Sequence, residues 1–386
     1  MGVKFAKNAP ADGHRKIEEY FSIPQQHATN KGLRSLSGGS GVKAGEAIQI
    51  WSVGLNDAES KPIETSAVPG EWSYIIYDSD DVAAEAQVTG GAGGQSEVTA
   101  VSYGQHVPGI VKALGVGNSN FIKADVEPRI LNVPSVGFLG LWLHGKGEED
   151  SVIPLSKDYS SKNFQVVKMK QIESQIQSKA KAVKAGIAAN PGPSGGAGAG
   201  LVDTTENLVI PDFLKLFELN LMPSAGATLA KKTLPFTMQS QQQTNWCWAA
   251  VGTSVGLFFE TGSWTQCDTA TGCLGGGKDC CKNPGPCNVY GFLDQSLTYT
   301  KSFDSMTSST TPLSEIEQKI NSNKPVCTRV AWNGGGAHFM AITGYDGSKI
   351  VIQDSIYGTT VMNYSSYPAS YKGGGSWTHS YYCKPS

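Results

Sequence analysis

Between residues 47 and 155, short apolar runs rich in β-branched and aromatic residues alternate with polar turn clusters. The runs are 47–53 (AIQIWSV), 72–77 (WSYIIY), 97–103 (EVTAVSY), 138–143 (FLGLWL) and 152–155 (VIPL). Runs of this length, separated by Gly and Asp clusters, predict strands joined by hairpins and loops. A mainly-β N-terminal domain is the expected result, with one short helix at 107–114 beside Pro108.

From Lys168 the period changes. Ile172, Ile176, Ala180, Val183 and Ile187 fall at steps of four, four, three and four, with Gln and Lys between them, so they form one apolar stripe on a helix. The stripe runs out in 186–200 (GIAANPGPSGGAGAG), where six Gly and two Pro stand in fifteen positions. Such a segment buries too little apolar surface to offset its ordering entropy, which makes it a linker. The expected organisation is a β-rich domain over 1–165, a helix, linker and apolar connecting segment over 166–235, and a second domain over 236–386. Within the connecting segment, 210–222 (IPDFLKLFELNLM) is too apolar to float free. It reads as a helix through Phe213, Leu216, Phe217 and Leu221 or as a strand through Leu214 and Leu216, docked on its own domain or across the face of the next.

Composition narrows the classes. The chain has 386 residues, with 31 Lys and Arg against 33 Asp and Glu, a formal charge of -2. That balance excludes a nucleic-acid footprint or a polybasic membrane patch. No apolar run reaches the roughly 20 residues that span a bilayer. The start, MGVKFAKNAPADGH, lacks the apolar core of a secretory signal. Residues 1–190 offer no evident chemistry. Asp78, Asp80 and Asp81 lack the Gly and distant Glu of a calcium loop, and His14, His27, His106 and His144 have no partner at ligand spacing.

The cysteines change the picture, because all eight lie at or after residue 247. In the run Gln241 to Ala250 (QQQTNWCWAA), Cys247 is followed by Trp248, Val251, Val255, Phe258 and Phe259 at helical steps. The thiol therefore sits at the start of a buried helix, where the helix dipole and free backbone N–H groups favour a thiolate. A base is available downstream. His338 follows a glycine-rich turn at the head of a strand, and Asp354 ends the next strand (349–354, KIVIQD), the two joined by a hairpin turn at Asp346 and Gly347. His338 and Asp354 are then neighbours, which fits a Cys–His–Asp arrangement with the carboxylate fixing the imidazole tautomer.

These residues resemble the papain-like cysteine peptidases, and within them the bacterial branch that includes staphopains and plant-pathogen effector peptidases. The likeness rests on Gln241 to Ala250, the run from Trp264 to Cys267, the pair Cys280 and Cys281, Cys287 with Asn288, and Gly336, Ala337, His338 and Phe339 through Gly344 and Tyr345. It continues in Asp354 with Tyr357 and Gly358, and in 375–382 (GSWTHSYY). It covers about 236–386. The resemblance implies an α+β fold, a helical subdomain plus an antiparallel β subdomain, preceded by the mainly-β N-terminal domain. It also implies Cys247 as nucleophile, His338 as general base, Asp354 as the orienting residue and Gln241 as an oxyanion-hole donor beside the Cys247 backbone N–H. No cofactor or metal is implied. The substrate would be a protein or peptide. The chain departs from plant and animal papains in having Thr244 where they carry a cysteine, in an aspartate where they have asparagine, and in lacking their helical prodomain signature.

Five cysteines, Cys267, Cys273, Cys280, Cys281 and Cys287, crowd a Gly- and Pro-rich loop. Disulfides suit that loop better than a zinc site, which would want paired C-x2-C spacings and a histidine. Adjacent Cys280 and Cys281 must take different partners. Cys327, in the apolar run 325–332, is the candidate buried thiol, with a bridge to Cys383 as the alternative. Disulfides without a visible signal suggest export by a signal-independent route, a reduced cytoplasmic protein being the alternative. The functional expectation is a peptidase made latent by residues 1–235. The alternatives are a catalytically silent binding module or toxin component, and an acyl transferase or isopeptidase using the same triad.

Overall fold

The computed structural model describes residues 2–22, 41–78, 81–90, 95–121, 125–145, 149–159, 164–189, 213–219 and 230–385. Its backbone is one long sheet that passes without a break from the N-terminal to the C-terminal region. On the C-terminal side the order runs Phe303–Thr307, Gly375–Cys383, Val326–Trp332, Ala337–Asp346, Lys349–Asp354 and Gly358–Asn363, all antiparallel. Gly358–Asn363 then pairs with Val98–Tyr103, Thr360 opposite Ser102 and Val361 opposite Val101. From there the sheet continues through Asp81–Val88, Val68–Asp78 and Val42–Ser52, which lies parallel to Asp125–Val133. Phe138–Gly145, Ser151–Pro154 and Val167–Lys168 follow, and the short strands Gly2–Val3, Phe217–Glu218 and Lys231–Thr233 pair along it.

At the seam the two backbones approach too closely for side chains. A Cβ on Gly104 would stand 2.0 Å from the Tyr357 carbonyl, and one on Gly358 would stand 2.8 Å from that of Tyr103. Gly358 also holds a φ of +77°, open to glycine at little cost. The seam therefore depends on both glycines.

The five strands read from the runs are all present as Val42–Ser52, Val68–Asp78, Val98–Tyr103, Phe138–Gly145 and Ser151–Pro154, and the helix at 107–114 extends to His106–Asn120. The pattern missed Gly13–Phe21, Asp81–Val88 and Asp125–Val133. Asp81–Val88 is flanked on both sides by strands and nearly continuously buried in its second half. Its DVAAEAQV run carries small residues in place of the usual β-branched ones.

The stripe after Lys168 forms the helix Met169–Ala189, and Ile172, Ile176, Ala180 and Val183 are buried. Of the linker expected from Gly186, positions 186–189 are helical, with Ile187 packed against the same cluster. Positions 190–200 lie outside the described residues. Of the segment 210–222 only 213–219 is described. Its Phe217–Glu218 strand pairs with Ala44 and Lys43, while Leu214 and Leu219 join the N-terminal cores. It docks on its own region. Among the described residues no helix is long and apolar enough to cross a membrane.

Candidate active site

Cys247–Phe258 is a helix buried nearly all round, with every residue from Cys247 to Gly256 buried. Such a helix belongs inside a core, and it packs on the face of the Ala337–Asp346 strand. Trp246 occupies the N-cap and supplies no side-chain cap, so the first backbone N–H groups stay oriented toward whatever lies before the helix. The approach to Cys247 is held by a stapled loop. Disulfides Cys267–Cys281 and Cys280–Cys287 close it, adjacent cysteines taking different partners as expected. From that loop Asn288 accepts the Asn245 N–H at 2.9 Å and donates to Thr244 Oγ1 at 2.8 Å, while the Trp246 indole donates to the Cys287 carbonyl at 2.8 Å. Cys273, Cys327 and Cys383 are free thiols, with Cys327 Sγ 3.7 Å from Cys383 Sγ.

The hairpin forms as the sequence indicated. Ala341 stands opposite Gln353, which brings His338 and Asp354 together at its open end. His338 Nε2 donates to Asp354 Oδ1 at 3.0 Å. The carboxylate is further held by the Ile356 and Tyr357 N–H groups at 2.7 and 3.2 Å on Oδ1, and by the Tyr371 hydroxyl at 2.8 Å on Oδ2. Burial would raise the Asp354 pKa, yet the His338 charge and these donors hold it below the ordinary carboxylate value. Burial would likewise lower the His338 pKa, but the Asp354 charge and hydrogen bond, with Cys247 beside it, carry it up to about 10. With Nε2 committed to Asp354, Nδ1 is the nitrogen left to face the Cys247 thiol. Cys247, His338 and Asp354 are thus brought together, a buried thiol beside a histidine whose far nitrogen is held by a carboxylate.

Gln241 lies at the same centre. Its Nε2 donates to the Gln243 and Thr244 carbonyls, both at 2.9 Å, and its Oε1 accepts from Ser355 Oγ at 3.0 Å. Its backbone N–H donates to the Ser355 carbonyl, linking it to the turn after Asp354. To serve an oxyanion, its amide has to exchange one of those two carbonyls for a substrate oxygen.

Two features escaped sequence reasoning. Tyr371 is one, since it is one of three tyrosines in 364–371 (YSSYPASY) and nothing in that run singles it out. The other is the packing of N-terminal elements beside the site. Cys247 and His338 are both 0% exposed, and elements of the N-terminal region pack against their neighbours. The turn Pro134–Val136 places Ser135 against Gly336, two residues before His338: a Cβ there would sit 3.0 Å from the Ser135 Cβ. Val136 joins one apolar cluster with the Met169–Ala189 stripe and Tyr290. Tyr290 in turn lies close enough to Cys247 for a thiolate there to add to the burial that raises its pKa. Gly186 rests on the Tyr290 ring, where a Cβ would stand 2.8 Å from it. A residual cavity of about 390 Å³ remains between Val183, Val136, Thr244, Asn245, Asn288 and Tyr290.

The C-terminal part of the chain resembles a known family. The family described as Peptidase_C39 like matches residues 233–382. A solved structure described as a C39-like peptidase from Bacillus anthracis aligns over 41% of this chain and 100% of that chain, at 14% identity and a TM-score of 0.28, a similarity too low to carry an argument. No curated protein matches the chain. The matched span contains Cys247, His338, Asp354 and Gln241, and residues 233–382 are therefore similar to a family of cysteine peptidases.

Proposed function

We propose that the protein is a cysteine peptidase that hydrolyses peptide bonds through an acyl-enzyme on Cys247. The carrying observation is a buried thiol at a helix start beside a histidine whose far nitrogen is pinned by a carboxylate. In the reaction, the Cys247 thiolate attacks the peptide carbonyl, and the Cys247 N–H with the Gln241 amide stabilises the oxyanion. Protonated His338 then gives its proton to the leaving amine. Water, activated by the neutral imidazole, releases the acid product. The finer placement near staphopains and effector peptidases rests on the sequence motifs alone, and an acyl transferase or isopeptidase would use the same residues as an endopeptidase.

The latency reading gains support in altered form. The elements offered as the cover are Pro134–Val136 and Met169–Ala189, since residues 213–219, the described part of 210–222, dock on the N-terminal region. A compact 3-10 turn is a poor substrate, since backbone-reading clefts take extended chains, so the cover can lie in the cleft without being cut. The test compares the full chain with a Ser135→Glu, Val136→Asp variant, which puts charge into the apolar contact. The expected result is a peptidase rate on a peptide library at least about tenfold higher in the variant, a change of about 1.4 kcal/mol in barrier. Cys247→Ala in that background should remove the activity and the labelling by a thiol-directed epoxide. Equal rates in the folded wild type and variant would end the latency reading. Undiminished labelling after Cys247→Ala would move the nucleophile elsewhere.

A further inference from the structure

A buried polar cluster joins the N-terminal region to the loop that carries Tyr371. Lys372 is 7% exposed, and its ammonium lies 3.3 Å from Glu85 Oε2 and 3.4 Å from Ser102 Oγ. Glu85, 2% exposed, is also bound by Ser73 Oγ at 2.7 Å and His106 Nε2 at 2.9 Å. Because a carboxylate only accepts, the His106 Nε2–H points at Glu85. The backbone is held from the same side: Asn132 Nδ2 donates to the Lys372 carbonyl at 2.7 Å, and Asn132 Oδ1 accepts from Tyr357 Oη at 3.2 Å. Glu85, Ser102, His106 and Asn132 belong to the N-terminal region, and Lys372 and Tyr357 to the C-terminal one.

The loop itself is strained. Lys372 has a φ of +45°, followed by Gly373 and Gly374 at +99° and +81°. Left-handed backbone is natural for the glycines but disfavoured for lysine, so the surroundings have to impose it. What they impose is the position of the preceding residue. Tyr371 is fully buried, and its hydroxyl reaches Asp354 Oδ2.

We propose that the N-terminal region is a clamp on the triad: Glu85 and Asn132 hold Lys372 in its strained turn, and the turn delivers Tyr371 onto Asp354. Glu85 and Asn132 are positioning residues, acting through Tyr371 and touching no reacting atom. The clamp rests on the peptidase reading for its purpose and is independent of it for its test. It also means that the region which covers the cleft supports the chemistry beneath. Activation then requires the Pro134–Val136 turn to move while the seam stays closed.

The test uses the full chain and the proton resonance of the His338 Nε2–H bonded to Asp354, assigned by its loss in Asp354→Asn. This signal reads the His338–Asp354 bond without any turnover. Glu85→Gln should displace it in the same direction as Tyr371→Phe, and adding Glu85→Gln to Tyr371→Phe should displace it no further. In the cleft-opened background, Glu85→Gln should lower kcat by about ten- to hundredfold with KM little changed, the scale of a misplaced catalytic group. A resonance left in place while the melting temperature falls would make Glu85 structural only and overturn the proposal. Additive shifts would overturn the route through Tyr371. Should Glu85→Gln fail to fold, Asn132→Asp keeps Oδ1 and removes the donor to Lys372, and the same outcomes decide. Absence of peptidase activity in every variant would count against the peptidase reading and leave the clamp to the resonance.

Discussion

His338 sits where two opposing forces meet, and the outcome fixes how the site responds to pH. Burial disfavours its charge, and Asp354 overrides burial, so the folded pKa stands near 10 against 6.5 for the free side chain. A group whose pKa is raised on folding stabilises the fold fully below its unfolded value. The His338–Asp354 contribution should therefore be complete below about 6.5 and decline as pH climbs toward 10. The same shift places the alkaline limb of kcat/KM in the cleft-opened variant near 10, and Asp354→Asn should move that limb down toward the ordinary histidine range. A limb near 6.5 in the parent would contradict the His338 assignment. Glu85 shows the same logic in a structural pair. Removing one partner of a buried ion pair strands the other, at a cost of about 3 to 5 kcal/mol, so Lys372→Met alone should destabilise more than Lys372→Met with Glu85→Gln. Denaturant unfolding of the three proteins gives the comparison.

At the scale of elements, the Met169–Ala189 helix presents one stripe to two tasks. Ile172, Ile176, Ala180 and Val183 bury against the N-terminal core and, through Tyr290, against the cleft. Ile176→Ala should cost about 2 to 4 kcal/mol, as other buried large-to-small changes do, and should also raise the rate of thiol labelling at Cys247. A loss of stability without faster labelling would separate the helix from the cover. The cysteine loop is a second element with a sharp expectation. Mass spectrometry of the non-reduced protein should find Cys267–Cys281 and Cys280–Cys287, with Cys247 and Cys273 free. Cys327 and Cys383, adjacent on paired strands, are the next couple to close under oxidation.

For the whole molecule, the continuous sheet is the governing feature. Pairing of Gly358–Asn363 with Val98–Tyr103 leaves neither region a finished edge of its own, and an exposed strand edge invites association. A fragment beginning near Thr233 should therefore gain no activity over the opened full chain and should aggregate. A soluble, fully active fragment would show that the regions fold apart. For the same reason heat should unfold the chain in one cooperative transition, with calorimetric and van't Hoff enthalpies equal. Two resolved transitions would contradict the shared sheet.

Local pattern was enough for many of the elements and for placing His338 beside Asp354. The strands at 47–53 and 138–143, the stripe from Ile172 and the Cys247 helix each repeat with the period of their own structure, and His338 and Asp354 are brought together by a hairpin whose turn is written in adjacent residues. Gln241 was singled out by the family resemblance, through its position six residues before Cys247. The sequence could not show what Glu85, Ser135 or Lys372 do. Glu85 lies in a run of small residues, Ser135 in a short turn, and Lys372 among glycines, and each acquires its role from a partner more than 200 residues away in the chain: Glu85 from Lys372, Ser135 from Gly336. Such pairings depend on sheet register at the seam and on which faces meet when two regions dock. Periodicity within a segment carries no trace of either, and only the packed chain decides them.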